Sequence, residues 1–314
     1  MQTVWQQAVF LIKKYFLQNI YLVIILKIKV ILTGGTIGSE KQSGIVHSGV
    51  SRDIVSYWLE KCSEEKSRNI EFFKVSPYSV LSENISLDNW QALTEELTRD
   101  YSEFEGVIIT HGSDTLSYTS AMVSIYCKDF PIPVVLTGAN KVLSDKESNG
   151  YGNFDKAVDI VKQGKTGVWT VFDNVYSADS VMEADYYTDS FSRGNTPQQE
   201  VILKSKEKII FKNKVMIIKE YPFADYRGIV IDSSVKAVLV IGYHSGTANE
   251  KAIDLLYEKC KKQGVELYLQ GLNSESAVYS STDKMRKRGV NIIYNDTPEY
   301  AFAKLMFKVN GYLC

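Results

Sequence analysis

Two loops rich in hydroxyl groups carry the residue types in this sequence that could do chemistry. The first, TGGT at residues 33–36, ends an apolar run, and the second, THGSDT at residues 110–115, ends another. Thr36 and Ser113 supply hydroxyl groups, and Asp114 supplies a carboxylate beside the second one. A hydroxyl attacks a carbonyl well only when a neighbouring group removes its proton, and a carboxylate can hold an amino group by a charge-assisted hydrogen bond. These loops therefore contain a candidate nucleophile and a candidate anchor for an amino group.

The glycines of both loops favour close approach between a ligand and the main chain. Gly34 and Gly35 can adopt backbone angles that are closed to other residues, and backbone N–H groups near Gly112 are suited to hold an oxyanion. Two plainer interpretations stay open. TGGT alternatively forms a phosphate-binding or purely structural turn, and Ser113 or Asp114 alternatively caps the following helix, a role that is compatible with catalysis in the same loop.

Alternating strands and helices must position these loops. The apolar patterns predict strands at 28–33, 106–110, 134–137 and 167–172, with helices at 50–60, 87–98, 118–126 and 154–162. Such alternation predicts a mostly parallel sheet with right-handed crossovers. Ligands bind such sheets outside the carboxyl ends of the strands. Since both loops follow strands, we expect them to face one cleft.

The pattern weakens between residues 193 and 214, and a second α/β unit follows. Its strands are predicted at 237–242 and 266–269, and its helices at 250–263, 281–287 and 298–310. The predicted fold class is therefore α/β, with a mostly parallel sheet in an N-terminal domain and a second, smaller α/β C-terminal domain. We expect an N-terminal extension at 1–26, the first domain at 27–192, a linker at 193–214 and the second domain at 215–314.

The extension leaves three interpretations open: a helix packed on the body, a start codon assigned too early, or a segment at a membrane surface. Its longest uncharged apolar stretch, residues 20–26, is too short to span a bilayer, so we expect no integral membrane span.

Composition narrows the class of protein. With 36 Lys and Arg against 37 Asp and Glu, the net charge is -1, and the chain lacks the basic surface that nucleic acid attracts. The widely spaced Cys62, Cys127, Cys260 and Cys314 predict free thiols in a reducing compartment, hence a cytoplasmic location. Because there are only three histidines, we expect no metal site.

Four motifs in register resemble the bacterial L-asparaginase family, which includes asparaginases, glutaminase-asparaginases and related amidotransferase subunits. They are TGGTIG, ITHGSDTLSYTS, VVLTGAN…SNG and TPEYAFAKLMF, and the likeness runs from residue 27 to residue 307. The resemblance implies a large N-terminal domain with the active site, a small C-terminal domain and a homo-oligomer, dimer or tetramer, with sites near the subunit boundary. It also implies a small-molecule amide substrate and neither a metal nor an organic cofactor.

The resemblance assigns roles to individual residues by their place in these motifs. Thr36 corresponds to the family's nucleophilic threonine, which attacks a side-chain amide, and Ser113 stands where the family has a second catalytic threonine. Asp114 corresponds to the aspartate that binds the substrate's α-amino group, next to Gly112. In VLSENISLDNW, Ser82 corresponds to the serine that binds the α-carboxylate, and Glu83 to the neighbouring contact.

A further stretch, YHSGTANE, resembles part of the family's small domain. It places Asn249 on a substrate-binding asparagine. An ordinary turn residue is the alternative interpretation of Asn249.

Two residues implied by the family are missing. The family has a tyrosine on a mobile loop after the first threonine, but no tyrosine occurs between Thr36 and Tyr57. The family also has a lysine after the fourth strand, which acts as a base with the second threonine and the aspartate. No lysine occurs from Thr166 to Glu200, and Ser180 or its neighbours occupy the place where a related subgroup has an arginine.

Acids are the first candidates to replace the missing lysine. A missing general base typically lowers a rate by about 10²–10⁴. His47 is a second candidate, with a merely solvated loop histidine as the alternative. Glu83 stands in place of a neutral contact and adds a carboxylate near Asp114, which favours a substrate with a free amino group. The candidate acids are Asp179, Glu183 and Asp185.

These observations lead to one main functional hypothesis and two alternatives. The main hypothesis is an amidohydrolase in which Thr36 attacks the amide of asparagine or a related compound, ammonia leaves, and water releases the acid. The missing tyrosine and lysine favour a divergent paralogue that acts on another amide in a specialised pathway. The competing class is a non-catalytic amino-acid-binding protein.

Overall fold

The computed structural model describes residues 25–48, 53–197, 201–204, 208–272 and 279–313. Nearly all of the extension expected at 1–26 lies outside the described residues. The strands, in chain order, are β1 Leu26–Leu32, β2 Ser39–Gln42, β3 Ile45–Ser48, β4 Ile70–Val75, β5 Gly106–Thr110, β6 Pro133–Thr137, β7 Gly167–Phe172, β8 Asn174–Ser177, β9 Val181–Met182, β10 Ser192–Arg193, β11 Lys214–Lys219, β12 Val235–Ile241, β13 Glu266–Leu272 and β14 Asn291–Tyr294. The α-helices are α1 Ile54–Lys61, α2 Glu64–Ser67, α3 Leu87–Thr98, α4 Leu116–Tyr126, α5 Gly150–Lys162, α6 Glu250–Lys262, α7 Ser280–Arg288 and α8 Pro298–Val309.

The larger sheet has six strands in the order β4-β1-β5-β6-β7-β8. Its neighbours pair in parallel, except that β8 runs antiparallel to β7. Strands β5 and β6 are buried along their whole length, which is why their sequences are continuous apolar runs rather than alternating ones. The mostly parallel α/β sheet predicted from the sequence is confirmed.

Helices cover both faces of this sheet. On one face, α1 and α5 pack Trp58 and Phe154 against alternate sheet residues such as Ile108. On the other face, α3, α4 and α8 pack against the intervening residues, among them Ile109. A reciprocal capping box between Ser86 and Asn89 begins α3, since it satisfies amide groups that the first helical turn leaves free.

The smaller sheet has four parallel strands in the order β11-β12-β13-β14. Helices α6 and α7 cover one of its faces, and α8 contacts it as well as α4 of the larger unit. Residues 208–213 lie in the expected linker. They pack against α3 and α8, where the ring of Phe211 contacts the rings of Trp90 and Phe307. The larger sheet lies before the expected linker in the sequence, and the smaller sheet begins at its end. The domain limits at 27–192 and 215–314 stay a prediction.

Several elements were not predicted from the sequence. The edge strand β4 has a mixed, half-exposed pattern, and the short β8, β11 and β14 lie at sheet edges. The hairpin β2–β3 follows the TGGT loop directly. No helix in the described part of the chain is long and apolar enough to cross a membrane.

Candidate active site

The two hydroxyl-rich loops meet at the carboxyl ends of neighbouring strands. Residue Leu32 of β1 pairs with Thr110 of β5. Just beyond this pair, the Thr33 hydroxyl donates a hydrogen bond of 2.6 Å to the main-chain oxygen of Thr110, and the Thr33 N–H donates one of 3.3 Å to the Thr110 hydroxyl. Buried side chains therefore join the two loops where they leave the sheet.

The glycines of TGGT adopt the conformations that only glycine takes easily. The φ angles are 97° at Gly34 and 72° at Gly35. A Cβ on Gly34 would lie 2.5 Å from the main-chain oxygen of Val80, and a Cβ on Gly35 would lie 2.2 Å from the main-chain nitrogen of Gly112. The glycines therefore permit backbone contact between the loops, and a 3₁₀ turn at Thr36–Gly38 follows.

A third loop brings Ser82 to the same place. The Val80 N–H donates to the Thr33 main-chain oxygen at 3.1 Å, and the Gly35 N–H donates to the Val80 oxygen at 2.9 Å. The Thr115 hydroxyl donates to the main-chain oxygen of Ser82 at 2.9 Å. Ser82 is 4% exposed, and its Oγ lies 2.4 Å from where a Cβ on Gly112 would be. Three loops are thus packed into one unit.

An open cleft of about 490 Å³ lies against these loops. Ser113 is half-buried and is not itself among the residues that line the cleft, although its neighbours on both sides are. Asn249 does not line the cleft either. The sequence-predicted residues that do line it are Thr36, Ser82, Glu83, Gly112 and Asp114.

The helix-cap interpretation of the second loop is wrong. Helix α4 has Thr115 at its N-cap, with no side-chain capping bond from the described residues. Ser113 and Asp114 instead belong to a 3₁₀ turn, Ser113–Thr115, that precedes the helix. The N–H of Gly112 also has no hydrogen-bond partner among the described residues. The Asp114 side chain and Gly112, which line the cleft, are therefore not used in a helix cap.

His111 forms a hydrogen bond within the second loop, and its imidazole is neutral at neutral pH. It is buried, and burial lowers the pKa of its imidazole to about 4. Its Nδ1 lies 2.9 Å from the main-chain oxygen of Gly112, so Nδ1 must carry the proton and donate, because a carbonyl oxygen only accepts. His111 thereby holds the orientation of the Gly112 peptide.

Sequence reasoning missed two further parts of the cleft wall. One part is the hairpin β2–β3, whose residues Lys41, Gly44 and Val46 line the cleft. Its turn, Ser43-Gly44, has φ angles of 51° and 85°, as in the two-residue hairpin turns that favour glycine. The dipeptide Ser43-Gly44 between two short segments was therefore the sequence feature that could have predicted this hairpin.

The loop after β6 forms the other part of that wall. Asn140 and Asn149 brace this loop, since each main-chain N–H donates to the other's side-chain oxygen, at 2.9 and 3.1 Å. Lys141 lines the cleft and forms an ion pair with Glu147. The hydrogen bond that Lys141 donates to the Glu147 carboxylate raises the pKa of Lys141.

None of the candidates for the missing base lies in the cleft wall. His47 pairs with Glu40 across the hairpin, whereas the cleft-lining Val46 pairs with Lys41. Because neighbouring side chains of a strand point to opposite faces, His47 faces away from the cleft. Asp179, Glu183 and Asp185 are not among the lining residues. Asp185 accepts hydrogen bonds from the N–H groups of Tyr187 and Thr188, which lower its pKa.

Asn249 lies in the smaller unit as the N-cap of α6. Its side chain accepts a hydrogen bond of 3.1 Å from the Ala252 N–H, and its own N–H donates to Glu220 at 3.1 Å. Glu220 is itself buried and accepts from the Tyr226 hydroxyl. The exposed Asn249 therefore has a structural role within this chain, whatever else it contacts.

Comparison with known proteins agrees with this architecture. A model of the asparaginase N-terminal domain matches residues 27–216, more than half of the chain. The chain belongs to the asparaginase family.

The family's curated relatives include amidotransferase subunits. A glutamyl-tRNA(Gln) amidotransferase subunit of Metallosphaera sedula is 27% identical to this chain, over 90% of the chain and 71% of the relative. The corresponding amidotransferase subunit of Saccharolobus solfataricus is 23% identical over the same shares.

Solved structures of asparaginases share the fold. The thermostable L-asparaginase from Thermococcus kodakarensis has a TM-score of 0.72 at 21% identity, over 91% of this chain and 93% of that one. L-asparaginase I from Vibrio cholerae has a TM-score of 0.70 at 20% identity, over 92% and 94%. A probable cytoplasmic L-asparaginase from Campylobacter jejuni has a TM-score of 0.70 at 22% identity, over 91% and 95%.

Proposed function

We propose that this asparaginase-family protein is an amidohydrolase in which Thr36 attacks a side-chain amide, that of asparagine or a related compound. The observation that carries the proposal is the arrangement of Thr36 in one cleft with Ser82, Glu83 and Asp114. A hydroxyl nucleophile, a buried serine and two carboxylates are the groups needed to bind and attack an amino-acid amide. Membership of the asparaginase family supports the same chemistry.

The reaction follows from the places of these groups. Asp114, with Glu83 nearby, binds the substrate's α-ammonium group, and Ser82 donates to its α-carboxylate. The Thr36 oxygen bonds to the amide carbon and gives up its proton, the departing nitrogen takes up one proton, the C–N bond breaks, and ammonia leaves. Water then attacks the threonine ester, which releases the acid and restores the hydroxyl. The Gly112 N–H, which has no partner among the described residues, is suited to stabilise the oxyanion of each step.

Ser113 acts in this scheme as the second hydroxyl of the site. Asp114 and Gly112, on either side of it, line the cleft, so a small shift of the 3₁₀ turn would present its hydroxyl to a bound amide. Asn249 stays a proposed substrate-binding residue. Because it lies outside the cleft of its own chain, that role requires a homo-oligomer in which a second copy supplies it.

A specific observation favours a substrate other than free asparagine. The described residues that line the cleft include no counterpart of the missing tyrosine, and none of the three candidate acids faces it. The relatives that are glutamyl-tRNA(Gln) amidotransferase subunits show that the family includes proteins of other functions. A divergent paralogue that acts on another amide is therefore the second candidate, ahead of a non-catalytic amino-acid-binding protein.

Location and cofactors complete the proposal. Cys62 and Cys260 are free thiols, which supports a reducing, cytoplasmic compartment. The reaction above needs no metal and no organic cofactor.

The test is release of ammonia from L-asparagine and L-glutamine by the wild-type chain, Thr36→Ala and Thr36→Ser. We expect turnover of at least one amide, lost by about 10³-fold or more in Thr36→Ala and partly kept in Thr36→Ser, which retains a hydroxyl. Turnover that survives Thr36→Ala would rule out the nucleophile. Tight amino-acid binding without turnover would instead support the binding-protein alternative.

A further inference from the structure

The hairpin β2–β3 presents one charged residue to the cleft. Its register pairs Lys41 with Val46 and Glu40 with His47. Because side chains alternate between the two faces of a strand and paired residues share a face, the Lys41–Val46 pair lies on one face and the Glu40–His47 pair on the other. Lys41 and Val46 line the cleft. The register therefore selects Lys41 as the group that this wall offers to a ligand.

Lys41 is not committed to another partner. Within the described ranges, its ammonium group forms no ion pair and no hydrogen bond. Lys141, which lines the same cleft from the loop after β6, is paired with Glu147 instead. A lysine that faces a cleft without a carboxylate partner can bind an anionic group of a ligand at little electrostatic cost.

The cleft is larger than the amino-acid amide alone requires. Its volume of about 490 Å³ falls within the range of about 300–1,000 Å³ that encloses a drug-sized ligand, whereas free asparagine is far smaller. In the proposed function, Asp114 and Glu83 take the α-ammonium group and Ser82 takes the α-carboxyl group. Lys41 is then left for a further group of the substrate.

We propose that Lys41 determines specificity by binding a second anionic group, so that the substrate is an amide with a free amino group and an additional carboxylate. This inference rests on the proposed amidohydrolase function and specifies its substrate class. An asparaginyl residue linked through its α-carboxyl group to an acidic residue has this chemistry. Its peptide carbonyl still accepts from Ser82, and its distal carboxylate reaches for the lysine.

Two dipeptides of nearly equal shape test the inference. Both dipeptides carry a C-terminal amide, so that no terminal carboxylate is left for Lys41. L-Asparaginyl-L-glutamate amide then has one additional carboxylate, on its side chain, and L-asparaginyl-L-glutamine amide replaces it with a neutral group. Side-chain deamidation of each asparaginyl residue is followed by mass spectrometry, and kcat/KM is compared. We expect the wild-type protein to prefer the glutamate dipeptide by roughly tenfold, the effect of one charge-assisted hydrogen bond in a partly open site.

Charge changes on the two faces of the hairpin provide the matched comparison. Lys41→Met should bring the ratio of the two kcat/KM values close to one, and Lys41→Glu should invert it. Gln42→Glu makes the net charge more negative by one unit, as Lys41→Met does, but at the next residue, which pairs with Ile45 on the opposite face, and it should leave the ratio as in the wild type. Lys41 and Gln42 are both exposed, so these variants should fold normally.

The outcomes separate this inference from the proposed function. If both dipeptides are hydrolysed in a Thr36-dependent way but at equal rates in the wild type and in Lys41→Met, the inference is wrong and the proposed function stands. If no amide is hydrolysed, the proposed function fails, and calorimetric binding of the two dipeptides decides about Lys41. Equal affinity, or no binding of either dipeptide, then overturns the inference, and a preference that Lys41→Glu inverts upholds it.

Discussion

Gly35 of the first loop lies directly against the backbone of Gly112 in the second loop. There is no room for a side chain on Gly35 in this contact. A Cβ on Gly35 would lie 2.2 Å from the Gly112 nitrogen and 2.4 Å from its Cα. Gly35 also has φ 72° and ψ -178°, a region that is essentially restricted to glycine. The position of Thr36 relative to Asp114 therefore depends on two residues that carry no functional group.

Gly35→Ala should destabilise the protein and abolish activity. The backbone strain alone costs about 1–3 kcal/mol, and the clash with the Gly112 backbone adds to it, since the backbone cannot rotate away. Urea denaturation with ammonia-release assays on the same preparations measures both effects.

Gly38→Ala is the control for that substitution. Gly38 belongs to the same turn, but a Cβ there would meet no atom within 4 Å. Its unfolding free energy should stay within about 0.5 kcal/mol of the wild type. If the two alanine variants were equally stable, the close contact between the loops would not matter for folding.

Turnover of free L-asparagine should be weak, below the value of about 10 s⁻¹ that is typical of enzymes. The reason is that no lysine occurs between Thr166 and Glu200 and that Asp179, Glu183 and Asp185 do not line the cleft, since a missing general base costs about 10²–10⁴ in rate. Steady-state ammonia release at saturating asparagine measures it. A turnover at or above that value would show that the described groups suffice.

The order of strands and helices was predictable because it depends on local patterns. The limits of α3, β5 and β7 agree with those expected from the sequence, since α3 is an amphipathic helix, β5 is buried along its whole length and β7 is largely buried. The edge strand β4, with the pattern IEFFKV, escaped detection. Its pairing with β1 is a long-range contact that no local pattern encodes.

The site was predictable only as far as it follows the strand ends. Thr36 and Asp114 come directly after β1 and β5, so the parallel sheet itself places them together. Lys41 and Lys141 come from a hairpin and a loop whose positions depend on packing, such as the reciprocal bonds of Asn140 and Asn149. The orientation of His47 away from the cleft depends on a strand register that sequence spacing does not specify.

Asn249 should show separable effects on stability and on activity. Asn249→Ala removes the N-cap of α6 and should cost about 1 kcal/mol. Asn249→Ser keeps a capping oxygen and should restore most of that stability, but it lacks the amide. Thermal unfolding and kcat/KM are measured for both variants. If Asn249→Ser restores activity as well as stability, then Asn249 is only a helix cap.

The ion pair between Lys29 and Glu96 should contribute strongly to stability. Lys29 is 3% exposed and Glu96 is 5% exposed. The Lys29 Nζ lies 2.6 Å from Glu96 Oε1, and the guanidinium group of Arg99 is a second partner of the Glu96 carboxylate. Breaking a buried pair costs about 3–5 kcal/mol, and we expect Lys29→Met near the lower limit because Arg99 remains. Lys74→Met, which breaks an exposed pair with Asp53, should cost at most about 1 kcal/mol. Equal costs in denaturation experiments would contradict this ranking.

Glu299 should make the protein less stable as the pH rises. Burial raises the pKa of its carboxyl group, and the charge of Glu183 adds to the shift. Its Oε1 accepts a hydrogen bond of 2.5 Å from the Glu183 N–H, whereas Oε2 has no partner among the described residues.

The folded chain thus keeps a proton on Glu299 that the unfolded chain releases near the ordinary glutamate pKa of about 4.3. The stabilisation is complete below that pH and is lost as the pH rises through the higher, folded-state pKa. Glu299→Gln cannot ionise, so its stability relative to the wild type should increase as the pH rises from about 4 through the raised, folded-state pKa of Glu299, as measured by denaturation at each pH. A difference that stays constant with pH would show that Glu299 does not titrate over this range in the folded protein.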